Sequence, residues 1–391
     1  MATTEPVYIA GAFEHPTREA PDTSTMQLHA EVATGALDDA DLRKRDVDGY
    51  FTACVPEYES GLSPLIMADY LGLDPSYADT TDFGGSSYVS HVGHAASAIR
   101  DGRCDVALVT LAGRPRSRGQ ATGSGARDIR TAQDSFERIY GATNVGMYGM
   151  AAQRHMHEHG TTSEQLAAIR AAASHHAQYN DDAMYQEPVS IEDVVESRIV
   201  ADPLHLLDCC VISDGGGALI VVSEDVRSKL DRECVEVLGF GEAIGHHDAG
   251  RIDLTRTAAE QSGARAFEEA GLGPEHVEYA SIYDSFTITV LEAIEDLGFC
   301  EKGDGGSFVA GGTLRAPDGE LPFNTDGGGL CSNHPANRGG MTKVIEAVRQ
   351  LRTEAHSEVQ VDADVALAHG TGGSIGTRHG AATLVLGRED R

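Results

Sequence analysis

The sequence predicts an α/β fold built from two similar halves, each with β-strands in a parallel or mixed sheet and helices on the faces of the sheet. Two observations indicate this class: strand-like and helix-like segments alternate twice along the chain, and a stretch of different character separates the two series. Alternation of this kind is typical of parallel or mixed sheets, because each helix connects one strand to the next across a face. No direct sequence repeat relates the two series, so the predicted duplication is one of structure.

The first series occupies residues 1–114. It ends on a continuous apolar run, Val106–Leu111, which is typical of a strand buried on both faces. The earlier segments alternate between short β-branched or aromatic runs and apolar residues at helical spacing. In chain order they are the strand Val7–Phe13, the helix Thr25–Thr34, the strand Val47–Ala53, the helix Ser63–Tyr70, the strand Tyr77–Thr81 and the helix Ser86–Arg100. Residues 1–114 and 206–232 form the predicted N-terminal half.

The middle of the chain, residues 115–205, has a different character. Pro115–Ala132 is rich in Arg, Gly and Ser, which indicates a loop, and Gly146–His159 and Ser163–Tyr179 have helical spacing. Pro188–Asp202 indicates an extended stretch and a short helix. Long insertions in compact domains are usually functional, so we expect a loop domain that forms a lid over a site.

The second series occupies residues 233–391, the predicted C-terminal half, and the strand Gly217–Ser223 precedes it. Its segments again alternate between strand-like and helix-like patterns. They are the strands Val235–Gly239, Ser281–Tyr283, Val365–His369 and Ala382–Leu386 and the helices Thr255–Ala270, Phe286–Leu297 and Gly339–Arg352. The second alternation is the reason for predicting a pseudo-duplicated core.

The composition is strongly acidic: 61 Asp and Glu residues stand against 30 Lys and Arg residues, for a formal net charge of −31. Such a surface repels nucleic acid and anionic lipid, so neither is an expected partner. Solubility in a salt-rich cytoplasm explains the charge most simply, because salt screens self-repulsion; an acidic site for a cationic substrate is the alternative. We find no signal-peptide pattern and no membrane-spanning apolar run, so a cytoplasmic location is expected.

The seven cysteines form no CxxC pair, which argues against a structural zinc site or a disulfide framework. Cys331 and the neighbouring pair Cys209-Cys210 are expected to be packed core residues. His155 and His159 lie at i and i+4 on one helix with His157 between them, but no third ligand is evident. We therefore expect an exposed helix there, and no metal site is predicted.

Four short blocks, in order along the whole chain, carry a family resemblance. They are Asp82-Phe-Gly-Gly-Ser-Ser-Tyr88; Tyr148-Gly-Met-Ala-Ala-Gln-Arg-His-Met156 with Cys209-Cys-Val-Ile-Ser-Asp-Gly-Gly216; Ile282-Tyr-Asp-Ser-Phe286; and Gly327-Gly-Gly-Leu-Cys-Ser-Asn-His-Pro335 with His369-Gly-Thr-Gly-Gly373. In this order and spacing they resemble the thiolase superfamily, in particular the sterol-carrier-protein-type thiolases and the archaeal acetyl-CoA acetyltransferase-like thiolases.

The resemblance implies a thiolase fold, in which five layers, αβαβα, come from two similar halves plus an inserted loop domain. It also implies coenzyme A thioesters as substrates, no covalently bound cofactor and a homodimer. Archaeal relatives of this type often pair with a small OB-fold, zinc-ribbon protein that helps to hold coenzyme A. This chain has no such module, so a separate small subunit is expected, and any zinc would reside in that subunit.

The nucleophile position departs from the family pattern. In thiolases a cysteine at the start of the first-block helix takes the acyl group, but a gapless alignment through Ile99–Val106 puts Gly85 there, followed by Ser86 and Ser87. We interpret Ser86 as the candidate acyl acceptor, because backbone N–H groups and the helix dipole favour a nucleophile at a helix N-terminus. The alternative is that Ser86 or Ser87 caps the helix, which is a common role for serine.

Two histidines and a tyrosine complete the predicted catalytic set. By resemblance, His334 of the His-Pro motif binds and polarises a thioester oxygen. His369 is predicted to end a strand before a glycine-rich turn, where site residues of α/β folds collect. Tyr283 stands where the family pattern has a histidine, and some thiolase-like aldolases use a tyrosine as base. The alternatives are a surface-loop His334, a His369 satisfied by backbone, and a Tyr283 that only packs.

Two glycine turns and a carboxylate complete the candidate site. Gly328 and Gly329 in one turn, and Gly372 and Gly373 in the other, are predicted to let the backbone approach the pantetheine and the thioester of coenzyme A. Asp284 is expected to orient a helix N-terminus. These assignments follow from the resemblance and from the short polar or absent side chains at these positions.

The leading functional interpretation is a β-ketothiolase of the acetyl-CoA acetyltransferase type, an acyl-CoA C-acyltransferase in which Ser86 replaces the cysteine and acts with His334 and His369. The first alternative is a retro-aldolase on a β-hydroxyacyl-CoA, which needs no acyl-enzyme; the absent cysteine and Tyr283 favour it. The second alternative is a non-catalytic scaffold or coenzyme A-binding subunit, and the retained histidines and glycine turns argue against it.

Overall fold

The computed structural model describes residues 5–53, 62–120, 143–246, 253–335, 339–374 and 378–389. The strands are β1 Val7–Glu14, β2 Gly49–Phe51, β3 Tyr77–Asp79, β4 Val106–Gly113, β5 Ile199–Ala201, β6 Leu204–His205, β7 Gly215–Ser223, β8 Val235–His246, β9 Tyr279–Ile282, β10 Val365–Ser374 and β11 Arg378–Arg388. The helices are α1 Thr25–Asp39, α2 Ser63–Leu71, α3 Ser87–Arg100, α4 Asn144–His159, α5 Ser163–Ala177, α6 Ile191–Glu196, α7 Glu224–Arg227, α8 Ala259–Ala270, α9 Thr287–Asp296, α10 Gly305–Val309, α11 Gly328–Cys331 and α12 Gly340–Leu351. Within these ranges no helix is long and apolar enough to span a bilayer.

Nine of the strands form one mixed sheet in the order β3-β2-β4-β7-β1-β8-β11-β10-β9. β2 is parallel to β3 and β4, and β9 is parallel to β10, whereas the other neighbours are antiparallel. The two halves of the chain meet where β1 pairs with β8, with Tyr8 opposite Glu236 and Ile9 opposite Val235. The strands of the N-terminal half therefore lie on one side of the β1–β8 pair, and those of the C-terminal half lie on the other side.

The elements pack as five layers. α1 covers the outer face of β1, β4 and β7, and α8 covers the outer face of β8 and β11. Between the two halves of the sheet lie α3 and α12, which contact each other and strands of both halves. Strand β7 shows why both faces of the sheet are covered: successive side chains along a strand point to opposite faces. Leu219 and Val221 belong to the central core, whereas Ala218, Ile220 and Val222 belong to the outer core beside α1.

The chain between β4 and β7 adds α4, α5, α6 and the small β5–β6 sheet. α4 and α5 pack against α9 of the C-terminal half. His155 of α4 is buried at this contact, with Nδ1 2.8 Å from Thr161 Oγ1 and Nε2 3.0 Å from Glu295 Oε2. The expectation of an exposed helix face is therefore wrong for His155. Of the predicted loop Pro115–Ala132, residues 121–132 lie outside the described residues.

Strand β10 runs further than predicted, which changes the position of His369. The sequence interpretation ended this strand at His369 and placed a turn at Gly370–Gly373, but the strand continues to Ser374 and pairs with β11 throughout. The glycines are needed because β10 runs close to the turn before α3: a Cβ on Gly372 would overlap the Phe83 carbonyl. His369 is a mid-strand residue, and the prediction that it ends a strand is wrong.

Candidate active site

The two central helices begin at the same place. α3 follows the turn Gly84–Ser86, and α12 begins at Gly340. The two N-termini touch, since a Cβ on Gly340 would overlap the Gly85 carbonyl. Helix N-termini present unpaired N–H groups and the positive end of the helix dipole. A negative charge that develops at this junction is therefore stabilised by both helices.

Tyr283 and His334 meet at this junction and form a pair, called the dyad below. The Tyr283 hydroxyl lies 2.7 Å from His334 Nε2, and the ring centroids are 5.4 Å apart. Tyr283 follows β9, and its N–H donates to the His369 carbonyl at 2.9 Å. His334 follows α11, and its N–H donates to Ser213 Oγ at 2.9 Å. Backbone contacts thus hold two side chains that are only 5 % and 4 % exposed.

Burial keeps His334 neutral. Desolvation lowers the pKa of His334 to about 4; the Asp284 carboxylate raises this pKa, and the Lys343 ammonium lowers it. A neutral imidazole carries one proton. When Nε2 accepts the Tyr283 hydroxyl, that proton is on Nδ1, which has no hydrogen-bond partner among the described residues. His334 can therefore accept a proton at one nitrogen while it donates a hydrogen bond from the other.

Asp284 connects the dyad to the short helix α11. Its carboxylate accepts the N–H groups of Gly329 at 2.8 Å and Leu330 at 3.0 Å. Lys343 Nζ lies 3.1 Å from Asp284 Oδ1. A Cβ on Gly328 would overlap Asp284 Oδ2, so this glycine lets α11 approach the carboxylate. The expectation that Asp284 orients a helix N-terminus is confirmed.

Tyr283 fills the space at the position of the missing cysteine. A Cβ on Gly85 would lie 2.5 Å from Tyr283 Cζ and would overlap the Thr371 carbonyl. No side chain fits at this position while Tyr283 keeps its place. The phenol therefore fills the space into which a side chain at Gly85, the residue that the sequence alignment places at the nucleophile position, would project.

Ser86 and Ser87 both bond to the turn that precedes α3. Ser86 Oγ donates to the Phe83 carbonyl at 3.0 Å. Ser87 Oγ donates to the Gly84 carbonyl at 2.8 Å and accepts the Phe83 N–H at 2.9 Å. In the described part of the chain the Ser86 hydroxyl makes no hydrogen bond to a histidine, and its side chain does not cap α3. The role of Ser86 as acyl acceptor stays a prediction.

The His369 side chain is not brought to the dyad. Nδ1 lies 2.9 Å from Thr383 Oγ1, and Nε2 lies 3.3 Å from Thr371 Oγ1. Thr383 in turn bonds to Ser262 of α8 at 2.9 Å, which places this network on the outer side of the sheet. Burial lowers the pKa of His369 to about 3. Both nitrogens of the His369 ring are hydrogen-bonded to threonines. His369 contacts Tyr283 through its backbone carbonyl and not through its ring.

The predicted coenzyme A glycines have structural contacts in the described chain. Gly329 packs against His334, with a Cβ on it 3.2 Å from His334 Cδ2. Gly372 packs against the turn before α3, and Gly373 has a φ of +77°, which favours glycine. Contact of Gly328, Gly329, Gly372 and Gly373 with coenzyme A stays a prediction.

The described cysteines show no activation. Burial raises the pKa of Cys209 and of Cys331 to about 12, and the pKa of Cys210 further still. A thiolate nucleophile needs a lowered pKa instead. Cys54 lies outside the described residues. Among the residues with described positions, no group of three or more His, Cys, Asp or Glu side chains is arranged to hold a metal ion.

Sequence reasoning missed Lys343 and the carboxyl groups near it. Lys343 is 1 % exposed and lies on α12, beside the buried Met341 and Val344. A lysine inside an apolar helical pattern is a usable signal, because lysines are almost never fully buried unless they are paired. Asp326 and Glu346 are buried in the same region.

Two family models together match most of the chain. "Thiolase, N-terminal domain" matches residues 7–225, and "Thiolase C-terminal domain-like" matches residues 241–388. The first match ends just after β7, and the second begins within β8.

Among known proteins of similar sequence, some are named for acyl transfer and others for aldol cleavage. The "Acetyl-CoA acetyltransferase" of Methanothermobacter thermautotrophicus is 35% identical over 369 residues, 91% of this chain and 93% of that protein. The "Steroid side-chain-cleaving aldolase" of Thermomonospora curvata is 32% identical over 364 residues, 89% of this chain and 91% of that protein. The solved structure named "Ltp2-ChsH2(DUF35) aldolase" has a TM-score of 0.86 and 31% identity, and covers 99% of this chain and 98% of that one.

These matches confirm the predicted fold, since a structure with this TM-score shares the order and packing of nearly all elements. Thiolases act on coenzyme A thioesters, so coenzyme A enters as part of the substrate and not as a bound cofactor. The two family models and the identities above 30% over about nine-tenths of the chain show that this protein belongs to the thiolase family.

Proposed function

We propose that this thiolase-family enzyme is a carbon–carbon lyase that cleaves a β-hydroxyacyl-CoA thioester by a retro-aldol reaction. The observation that carries the proposal is the buried dyad, whose tyrosine occupies the space at the missing cysteine. A retro-aldol reaction needs a base at the β-hydroxyl and a stabiliser for the enolate, but no acyl-enzyme. The relatives named as aldolases support the same choice.

The dyad can carry the proton through the whole reaction. Tyr283 takes the proton of the substrate β-hydroxyl as its own proton passes to His334 Nε2. The electrons of the O–H bond form the carbonyl at Cβ, the Cα–Cβ bond breaks, and its electrons move into the thioester as an enolate. Return of the proton from the dyad to Cα gives an acyl-CoA and a ketone or aldehyde, so that atoms and charge balance.

The charges at the junction suit these steps. His334 is neutral at rest because its pKa is lowered to about 4 by burial, and it can therefore accept the tyrosine proton at neutral pH. Once protonated, the imidazolium faces the Asp284 carboxylate and can donate from Nδ1 to the enolate oxygen. Its low pKa also makes it a strong enough acid to return the proton. The N-termini of α3 and α12 favour the developing negative charge.

Acyl transfer through Ser86 is the second candidate, and the 35% identical protein named as an acetyl-CoA acetyltransferase supports it. A serine hydroxyl needs a neighbouring base to act as a nucleophile. The described partner of Ser86 Oγ is the Phe83 carbonyl instead. Acyl transfer would require Ser86 to leave that bond and approach His334, and for this reason we place the lyase first.

The proposal includes the partners and the organisation of the chain. We propose that the protein is a homodimer and works in a cytoplasm of high salt. We also propose three parts of the chain: an N-terminal half (residues 1–114 and 206–232), a loop domain (115–205) and a C-terminal half (233–391). A small OB-fold, zinc-ribbon subunit is proposed to help hold coenzyme A, with any zinc in that subunit. The name of the solved aldolase includes a second component, which supports an assembly of two proteins.

The test compares two substrates on one preparation of the full chain in high salt, with and without the proposed small subunit. One sample receives a 3-hydroxyacyl-CoA, and acetyl-CoA and the released ketone or aldehyde are measured. The other receives acetoacetyl-CoA with coenzyme A, and acetyl-CoA and the mass of the Ser86 peptide are measured. We expect equal amounts of acetyl-CoA and carbonyl product in the first sample.

Three outcomes separate the candidates. Cleavage of the 3-hydroxyacyl-CoA without a mass gain on the Ser86 peptide supports the lyase. Thiolysis of acetoacetyl-CoA with an acetyl group on that peptide overturns the lyase in favour of acyl transfer. Binding of both thioesters without turnover of either indicates a scaffold and overturns both enzymatic proposals.

A further inference from the structure

We propose that Lys343 is a positioning residue of the dyad, whose ammonium balances the Asp284 carboxylate and so holds α11 and His334 in their working arrangement. The inference rests on the proposed function and concerns the same site. Lys343 touches neither reacting group in the described contacts. It acts through Asp284 and through the short helix that Asp284 anchors.

A continuous chain of contacts leads from Lys343 to His334. Lys343 Nζ lies 3.1 Å from Asp284 Oδ1. The same carboxylate accepts the N–H groups of Gly329 and Leu330 at the start of α11. Gly329 is packed against the imidazole, since a Cβ on it would lie 3.2 Å from His334 Cδ2. The carboxylate therefore sits between the ammonium, the α11 backbone and the dyad.

The titratable groups packed around the dyad and Lys343 come from several elements. They are Tyr283 and Asp284 after β9, Asp326 before α11, Cys331 in α11, and Lys343 and Glu346 in α12; Asp284 and Lys343 act on His334, whereas Asp326 and Glu346 act on Lys343. Burial raises the pKa of Asp326, and it raises the pKa of Glu346 to about 7. Burial alone would lower the pKa of Lys343, but Asp284, Asp326 and Glu346 outweigh it and raise this pKa, so Lys343 stays charged.

Asp284 and Lys343 are the two charges that act on His334, and they act in opposite directions. Loss of the ammonium would leave the Asp284 carboxylate uncompensated in a buried site, where nearby opposite charge favours the protonated imidazole. A protonated His334 cannot take the Tyr283 proton. Lys343 thus extends to lower pH the range in which the dyad is ready for the first proton transfer.

The test is the substitution Lys343→Met in the full chain, with the titration of His334 followed by NMR of isotope-labelled histidine. The His334→Asn variant assigns the resonance. We expect the pKa of His334 to rise by about 1 pH unit or more. The acidic limb of kcat/KM should move in the same direction. The titration needs no turnover, so its failure is distinct from failure of the proposed lyase reaction.

A matched control is Lys302, a partly buried lysine that is also paired with carboxylates. Lys302 Nζ pairs with Glu295 at 3.1 Å and with Asp296 at 2.6 Å, away from Asp284. Lys302→Met should leave the titration of His334 unchanged. An equal shift in both lysine variants would overturn the positioning role, because it would show a general effect of removing a buried charge.

A second pair of variants keeps the test decisive if Lys343→Met does not fold, since an unpaired buried carboxylate is strongly destabilising. Asp284→Asn alone should lower the pKa of His334, and Lys343→Met with Asp284→Asn should return it towards the wild-type value. An unchanged titration of His334 in these variants would contradict the inference.

Discussion

The dyad and the pair formed by Ser86 and His369 both surround the turn before α3, and both are buried. In the second pair every polar side-chain atom has a local partner: the Phe83 carbonyl for Ser86, and two threonines for His369. In the dyad, Tyr283 and His334 bond to each other, and His334 Nδ1 has no partner among the described residues.

This difference separates structural from functional polar groups. Buried polar atoms are normally hydrogen-bonded, so Ser86 and His369, whose polar atoms all bond to neighbouring residues, have little capacity left for a substrate. A buried nitrogen without a partner is unfavourable for folding, and in the dyad His334 Nδ1 keeps the capacity to bond to a substrate. The comparison therefore predicts that activity depends on the dyad and stability on Ser86 and His369.

The largest effect is expected for Tyr283→Phe, which removes only the hydroxyl of the dyad. Loss of a general base lowers rates by about 100-fold or more, and we expect this loss in cleavage of a 3-hydroxyacyl-CoA. The measurement is kcat for the variant beside wild type. Retained activity in the phenylalanine variant would break the comparison, because the reaction would then not use the phenol.

A pH-dependent loss of stability is the next effect, and both regions contribute. The pKa values of His334 and His369 are lowered from 6.5 to about 4 and about 3 by burial. The unfolded chain binds these protons first, so the stabilisation is complete above pH 6.5 and is lost as the pH falls. Each histidine should lower the free energy of unfolding by about 1.4 kcal/mol per pH unit in its window.

Urea unfolding in constant high salt at pH 7 and pH 5 measures this loss. The variants His334→Asn and His369→Asn should each show a smaller difference between the two pH values than wild type. If His369→Asn also abolished cleavage of the thioester, the assignment of His369 to stability would fail.

A smaller effect is expected for Gly85→Ala, which tests whether Tyr283 really fills the cysteine position. The added methyl group would meet the Tyr283 ring and the Thr371 carbonyl. Overpacking of this kind lowers the free energy of unfolding by about 1–3 kcal/mol. Gly245→Ala is the matched control in a strand, since its Cβ would meet no atom closer than 3.7 Å. Equal stability of Gly85→Ala and wild type would show that the junction is open.

The smallest effect is expected for Ser86→Ala. It removes the bond to the Phe83 carbonyl, which contributes about 1 kcal/mol to stability. The rate of 3-hydroxyacyl-CoA cleavage should change by less than about threefold, which corresponds to under about 0.7 kcal/mol in the barrier. A loss of activity as large as that of Tyr283→Phe would instead favour acyl transfer through Ser86.

The sequence by itself determined the α/β class, the two halves and the positions of most elements. These follow from local patterns, because hydrophobic periodicity reports which face of each segment is buried. The buried strand at Gly217–Ser223 and the helix Gly339–Arg352 are predicted almost to the residue. The sequence motifs also indicate Tyr283, His334 and Asp284 as candidate site residues.

Only the tertiary structure decided which of these residues meet. Tyr283 and His334 are 51 positions apart, and their 2.7 Å contact depends on how β9, α11 and α12 pack around one junction. The same packing turns the His369 ring towards Thr383 and puts Lys343 beside Asp284. Local sequence patterns indicate whether each residue is buried. They do not indicate which residue of a distant strand or helix its side chain will contact.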